Sequence, residues 1–164
     1  MRAIVRNTAR SAAFLSILAA FASADAHDDV LETLTKMAAA LTEVNGDGVA
    51  SNSANVAAFM SAVSKNMPDY DTLKNNVTAL VNNAEISSSI ETLNEETAGE
   101  AYKIDLDWLL EIRSLEQDGP LVRRREVVHC ELRQEQNGKN KNKPRWKIVA
   151  LKPLDFFAPP SLAK

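Results

Sequence analysis

Between positions 102 and 114 the chain alternates without a break. Ile104, Leu106, Trp108, Leu110 and Ile112 share one parity; Lys103, Asp105, Asp107, Leu109, Glu111 and Arg113 share the other. Successive side chains on a strand point to opposite faces, so this pattern demands a long β-strand with one buried face. A strand that is apolar on one side only needs a second layer of structure to cover it.

The first half of the chain supplies helices for that layer. Val30, Leu31, Leu34, Met37, Ala38, Leu41 and Val44 recur at helical spacing behind Asp28 and Asp29, acids that favour a helix start. Residues 45–48 (Asn-Gly-Asp-Gly) end this helix with turn chemistry. They lack the closing Glu of a calcium loop, since Val56 stands there. A second helix is predicted from about Ser53, with Val56, Phe59, Met60 and Val63 inward, ending at Met67-Pro68 because the residue before proline avoids helical geometry. Asp69 or Asp71 can cap a third helix, with Leu73, Val77, Leu80 and Val81 on its inner face. Asn76-Val77-Thr78 within it is formally a glycosylation acceptor.

Strands follow. They are predicted over residues 85–93 (Ile86, Ser88 and Ile90 on one face), 102–114, 121–134 and 145–151, the last closed by Pro153. Polar turns are predicted over 94–100, 117–120 and 137–143. Helices segregated from strands make an α+β domain: three N-terminal helices packed on a curved antiparallel four-stranded sheet, as one domain over residues 27–160 with a short tail at 161–164.

Residues 1–26 read as a secretory signal peptide. Arg2, Arg6 and Arg10 precede a short apolar run, and Ala22-Ser23-Ala24 and Ala24-Asp25-Ala26 are both A-x-A cleavage sites, which places the cut after Ala24 or Ala26. The run is shorter than the roughly 20 residues that span a bilayer, so no membrane span is expected after cleavage, and the protein is expected to be periplasmic or secreted. Removing residues 1–26 changes the formal net charge from −3 to −5. What remains is split, −12 over residues 27–118 and +7 over 119–164. Asp105, Asp107 and Glu111 would lie on one sheet face beside Arg123, Arg125 and Lys147, so the split reads as complementary pairing inside one domain. The net negative charge and the leader argue against nucleic acid as a partner, although Arg123–Arg125 and the lysines at 139, 141 and 143 could form a basic patch.

One cysteine, Cys130, excludes an intrachain disulfide, and it sits in an apolar β-rich stretch, as a buried thiol would. His129 beside it would point to the opposite face of the strand, which disfavours a Cys–His dyad. His27 and His129 are the only histidines, too few for a structural zinc site, and no nucleotide or nucleophile-elbow motif is present, so no metal and no cofactor are expected.

The element order resembles the nuclear transport factor 2-like superfamily, in particular its exported SnoaL-like members. Phe59-Met60, Met67-Pro68-Asp69-Tyr70 and Leu73 look like its helical lid; the segments 86–90, 107–112 and 124–130 look like successive strands; and Trp146-Lys147-Ile148-Val149 with Asp155-Phe156-Phe157 looks like the closing strand and C-terminal hook. The resemblance implies a cone-shaped fold whose concave sheet face lines a pocket. That face would carry Val122, Arg124, Glu126, Val128, Cys130 and Leu132 from one strand, and Trp146, Ile148 and Ala150 from the last. The implied pocket lining is Phe59, Tyr70, Trp108, Leu110, Arg124, Glu126 and Trp146. Arg124 and Glu126 are charges on an inward face, which fits either a polar recognition pair for a small amphipathic ligand or a structural ion pair. The fold hosts both enzymes and binding modules. A non-catalytic binding module for a small ligand or a protein is the first reading. A cofactor-free isomerase, dehydratase or cyclase is the alternative, with Glu126 as the general base because it is the one inward carboxylate. On the opposite face Leu109, Val127, His129, Val149 and Leu151 mix apolar and polar character, as a homodimer interface would.

Overall fold

A computed structural model describes the backbone over residues 15–42, 49–115, 120–137 and 140–160, and side chains over 26–42, 52–115, 120–136 and 145–160. Three helices come first: α1 (Leu15–Thr42), α2 (Val49–Ser61) and α3 (Tyr70–Asn83). Four strands follow: β1 (Ala84–Ala98), β2 (Ala101–Ser114), β3 (Leu121–Asn137) and β4 (Asn140–Lys152). A single 3-10 turn, Asp155–Phe157, ends the described chain. The strands form one antiparallel sheet in the order β1-β2-β3-β4, a meander. The architecture is therefore α+β, with helices on one face of an open sheet. The 45–48 turn, most of the 117–120 turn and the 161–164 tail lie outside the described residues.

The predicted apolar stripes are the core. Val30, Leu34, Met37, Ala38 and Leu41 of α1, Phe59 and Met60 of α2, and Leu73, Val77, Leu80 and Val81 of α3 are buried against Ile104, Leu106, Trp108, Leu110 and Ile112 of β2. Helical spacing on one side and period two on the other put all these groups into one layer, where burial of apolar surface holds the domain together.

Several boundaries differ from expectation. β1 runs on to Ala98, leaving Gly99-Glu100 as the turn, with Gly99 at φ 62°. A register shift between Thr92 and Asn94 lets the polar end of β1 continue pairing with β2. β4 starts at Asn140, so residues 140–143 are strand; 138 and 139 lie outside the described residues. α2 ends at Ser61, before Met67-Pro68, because the next residues are recruited by the sheet. Ile148 N–H donates to the Ala62 carbonyl (2.9 Å), and Ser64 N–H donates to the Ile148 carbonyl (2.9 Å). This bridge covers the edge of β4, whose main-chain groups would otherwise stand open to pairing with another chain. Ser64 is buried, and its hydroxyl donates to Glu135 on β3 (2.5 Å). At the other edge, Ser88 N–H of β1 donates to the hydroxyl of Thr42, the last residue of α1 (2.9 Å).

Asp69 occupies the position before α3, in the left-handed region (φ 63°), and its side chain makes no capping bond. Aspartate tolerates that conformation. Its carbonyl instead accepts the Leu73 N–H at 2.9 Å.

Candidate functional site

The chain's own C-terminal hook packs into the core on the helix-facing side of the sheet. Phe156 and Phe157 are buried there. Phe157 packs edge-on against Trp108 (centroids 5.0 Å apart, 84°), Phe59 (5.5 Å) and Phe156 (5.0 Å). Edge-to-face ring pairs at this spacing are favourable beyond their area. The Trp108 indole N–H donates to the Ser88 hydroxyl (2.9 Å), so its one polar atom is satisfied in the core. Phe59, Trp108 and Leu110 are thus brought together, as core beneath two phenylalanines.

Arg124 has the inward parity, and its role is specific. Its Nη1 donates to the carbonyls of Phe156 (3.0 Å) and Ala158, which clamps the hook onto β3. Asn76 of α3 donates its side-chain amide to the Leu154 carbonyl (3.1 Å), a second tie on the same segment, and its nitrogen is thereby engaged. Glu126 does not meet Arg124. It pairs in register with Trp108, yet its side chain is exposed. Parity assigns Glu126 to the side of Trp108, yet an inward, pocket-lining carboxylate is not what the structure shows.

β4 brings another correction. Leu132 pairs with Ile148 and Glu131 with Ala150, so β4 spends an extra residue at Val149. A bulge shifts the alternation by one residue. Leu151, expected outside, is therefore buried opposite Cys130, and Ala150, expected inside, is half-buried opposite Glu131. Burial pushes the Cys130 thiol up to about 12, with Asp105 adding to the effect, so this sulfur is an inert part of the core.

Among the described residues, two concavities are found on the helical side of the molecule. The larger, about 560 Å³, is a groove between α2 and α3. Val56, Ala57 and Met60 supply apolar floor, and Tyr70, Lys65 and Lys74 stand around it. Of the expected lining, only Tyr70 is found here. The smaller, about 330 Å³, lies between α1, the end of α2 and β4, and includes Trp146, Lys36, Arg145 and Lys147. Trp146 is buried, and its indole N–H has no hydrogen-bond partner among the described residues. Lys147, expected beside the β2 carboxylates, donates to the Ser61 carbonyl instead, and burial followed by the neighbouring Arg145 charge lowers its pKa.

At the start of the described part of α1, His27, Glu95 and Tyr102 form a compact cluster. His27 Nδ1 lies 2.8 Å from Glu95 Oε2 and 3.1 Å from the Tyr102 hydroxyl, which donates to the same carboxylate oxygen at 2.7 Å. Burial, with the Glu95 hydrogen bond and charge, pushes Tyr102 up to about 12. The Tyr102 ring is edge-on to Trp146, with centroids 6.0 Å apart. Local spacing gives no sign of this cluster, because the partners of His27 lie 68 and 75 positions away.

The outer face of the sheet carries the expected cross-strand ion pairs, with one change of partner. Glu111 meets Arg123 (2.6 Å), Asp107 meets Arg125 (2.5 Å), and Asp105 meets His129 (2.6 Å). The Arg125 hydrogen bonds hold the Asp107 carboxyl below its ordinary range. Among these pairs Leu109 is half-buried, while Val127 and His129 are exposed.

Among the described residues, no group of three or more His, Cys, Asp and Glu side chains is placed to hold a metal ion, and no helix is long and apolar enough to cross a membrane. No family model, no curated protein and no solved structure matches this chain.

Proposed function

We propose that this chain is an exported, non-catalytic module of the nuclear transport factor 2-like fold that binds a small amphipathic ligand bearing an acidic group. The observation that carries the reading is the α2–α3 groove: about 560 Å³, floored by Val56, Ala57 and Met60, and rimmed by Lys65 and Lys74. Ligand sites fall in this size range and combine an apolar lining with few, well-placed polar groups. A hydrocarbon body would cover the floor, and an anionic head would meet the two ammonium groups. The leader at residues 1–26 supports the exported compartment, and the mixed outer face around Leu109, Val127, His129 and Val149 supports a homodimer.

An enzyme using Glu126 has less support. A general base must sit beside the proton it takes and within a site that excludes water. Glu126 is exposed, and the space over its neighbour Trp108 is occupied by Phe156 and Phe157.

Calorimetric titration with decanoate tests the binding reading. Saturable binding to one site per chain is expected. Met60→Asp should abolish it, and Lys74→Glu should weaken it about tenfold, the order expected for loss of one charge-assisted contact. Absence of saturable binding, or binding untouched by Met60→Asp, would remove the groove as the site.

A further inference from the structure

His27 sits where leader removal changes the available chemistry. Its Nδ1 is the imidazole nitrogen nearer the main chain, so it can close a chelate ring with main-chain nitrogen. In the uncut chain, residue 27 lies inside α1 and its main-chain nitrogen is an ordinary helix amide. A cut at either A-x-A site puts residue 27 in the first turn of the shortened helix, where main-chain N–H groups have no intrahelical partner.

We propose that removal of the leader turns His27 into a copper(II) site. The inference rests on the export reading above. With the cut after Ala26, the new α-amine of His27 and its own Nδ1 close a six-membered chelate ring, and Glu95 Oε2 and the Tyr102 hydroxyl complete the set. Two donors held cis at about 2.0 Å from one ion stand about 2.8 Å apart. The three side-chain donor atoms are already 2.8, 3.1 and 2.7 Å from one another. An ion can therefore replace the shared hydrogen bonds with little movement.

With the cut after Ala24, the chain begins Asp25-Ala26-His27. The α-amine of Asp25, the amide nitrogens of Ala26 and His27, and His27 Nδ1 then offer four nitrogens in one plane, and the two amide protons leave to solvent. Tetragonal nitrogen and oxygen sets favour copper(II), which also heads the affinity order of the divalent first-row ions. Both cuts converge on the same imidazole nitrogen, and only the first uses Glu95 and Tyr102.

Three chains test this: one starting at His27, one starting at Asp25, and one with a Gly-Ser-Gly extension ahead of Asp25. Each is titrated with copper(II) against a competing chelator and followed by electron paramagnetic resonance. Both trimmed chains should bind one ion per chain. The loss of an outer partner of a metal ligand costs roughly 10–100-fold, so the extended chain, which lacks a usable amine, should bind at least about a hundredfold more weakly. Glu95→Gln should weaken the chain starting at His27 by about tenfold or more and leave the chain starting at Asp25 unchanged. His27→Ala should abolish the site in both. Equal affinity for the extended chain, or affinity that survives His27→Ala, overturns the proposal. The export reading is tested apart from it, by N-terminal sequencing of the full-length chain after expression in a bacterial host. Recovery of uncut chain overturns that reading and the site with it, whereas a cut chain with no preference for copper(II) over the extended chain overturns the site alone.

Discussion

The two faces of the sheet come from the same strands and are closed by opposite means. On the helix-facing side, Trp108 packs against the rings of Phe156 and Phe157, and Phe157 against Phe59, all of them buried. On the outer face, Asp105, Asp107 and Glu111 meet His129, Arg125 and Arg123 in contact with solvent. Apolar burial is proportional to area and is felt at every atom, whereas exposed ion pairs are screened and lose side-chain entropy on pairing. Stability should therefore reside on one face. The other face should be replaceable, and free to meet a second molecule.

The largest expected effect lies at the hook. Phe157→Ala should cost about 3–5 kcal/mol, read as a fall in the urea midpoint at unchanged slope. A loss under about 1 kcal/mol would break the comparison, because the hook would then be a surface appendage. Next comes Arg124→Ala, which removes a charged donor from the carbonyls of Phe156 and Ala158 and should cost about 1.5–3 kcal/mol by the same measurement. The two tryptophans sharpen the comparison within the core. Trp108→Phe leaves the Ser88 hydroxyl without its donor and should cost about 1–3 kcal/mol, while Trp146→Phe deletes a donor that has no partner and should cost clearly less. Equal costs would show that a bound group satisfies Trp146 in solution.

On the outer face the effects should be small. Arg125 holds the Asp107 carboxyl below its unfolded range. The pair's contribution is therefore present above the unfolded carboxylate pKa and is lost as pH falls through the lower, folded value. Asp107→Asn should flatten that acid limb of stability, and the difference from the parent should shrink in high salt. The smallest effect on folding is expected for Val127→Asp, which should leave the thermal transition in place; if the proposed homodimer forms through this face, sedimentation should shift from dimer to monomer. An unchanged sedimentation profile would remove this face as the dimer interface.

The period-two segment and the three helical stripes were legible from the chain because each rests on local spacing. β2 begins one residue before the expected start and ends where expected, and the inner faces of α1, α2 and α3 are the expected ones. The cross-strand carboxylates were legible for the same reason, since parity decides which charges share a face. Three things were not. The bulge at Val149 is one extra residue whose position depends on pairing with β3, so period two misplaced Ala150 and Leu151. The early end of α2 depends on hydrogen bonds between Ala62, Ser64 and Ile148, a contact between distant segments. Glu126 was placed by parity alone, and parity says nothing of whether a second layer lies above a given strand position.

By itself the sequence determined the element types, the faces that are apolar and the sign of the charges on each strand, because these follow from the periods of helix and strand. Tertiary structure decided what packs against the helix-facing side of the sheet, what Arg124 holds, and that His27, Glu95 and Tyr102 meet in one cluster. The reason is physical: side chains far apart in the chain are brought together only when strands choose a register and the C-terminal hook folds back, and nothing in the local spacing of residues specifies that closure.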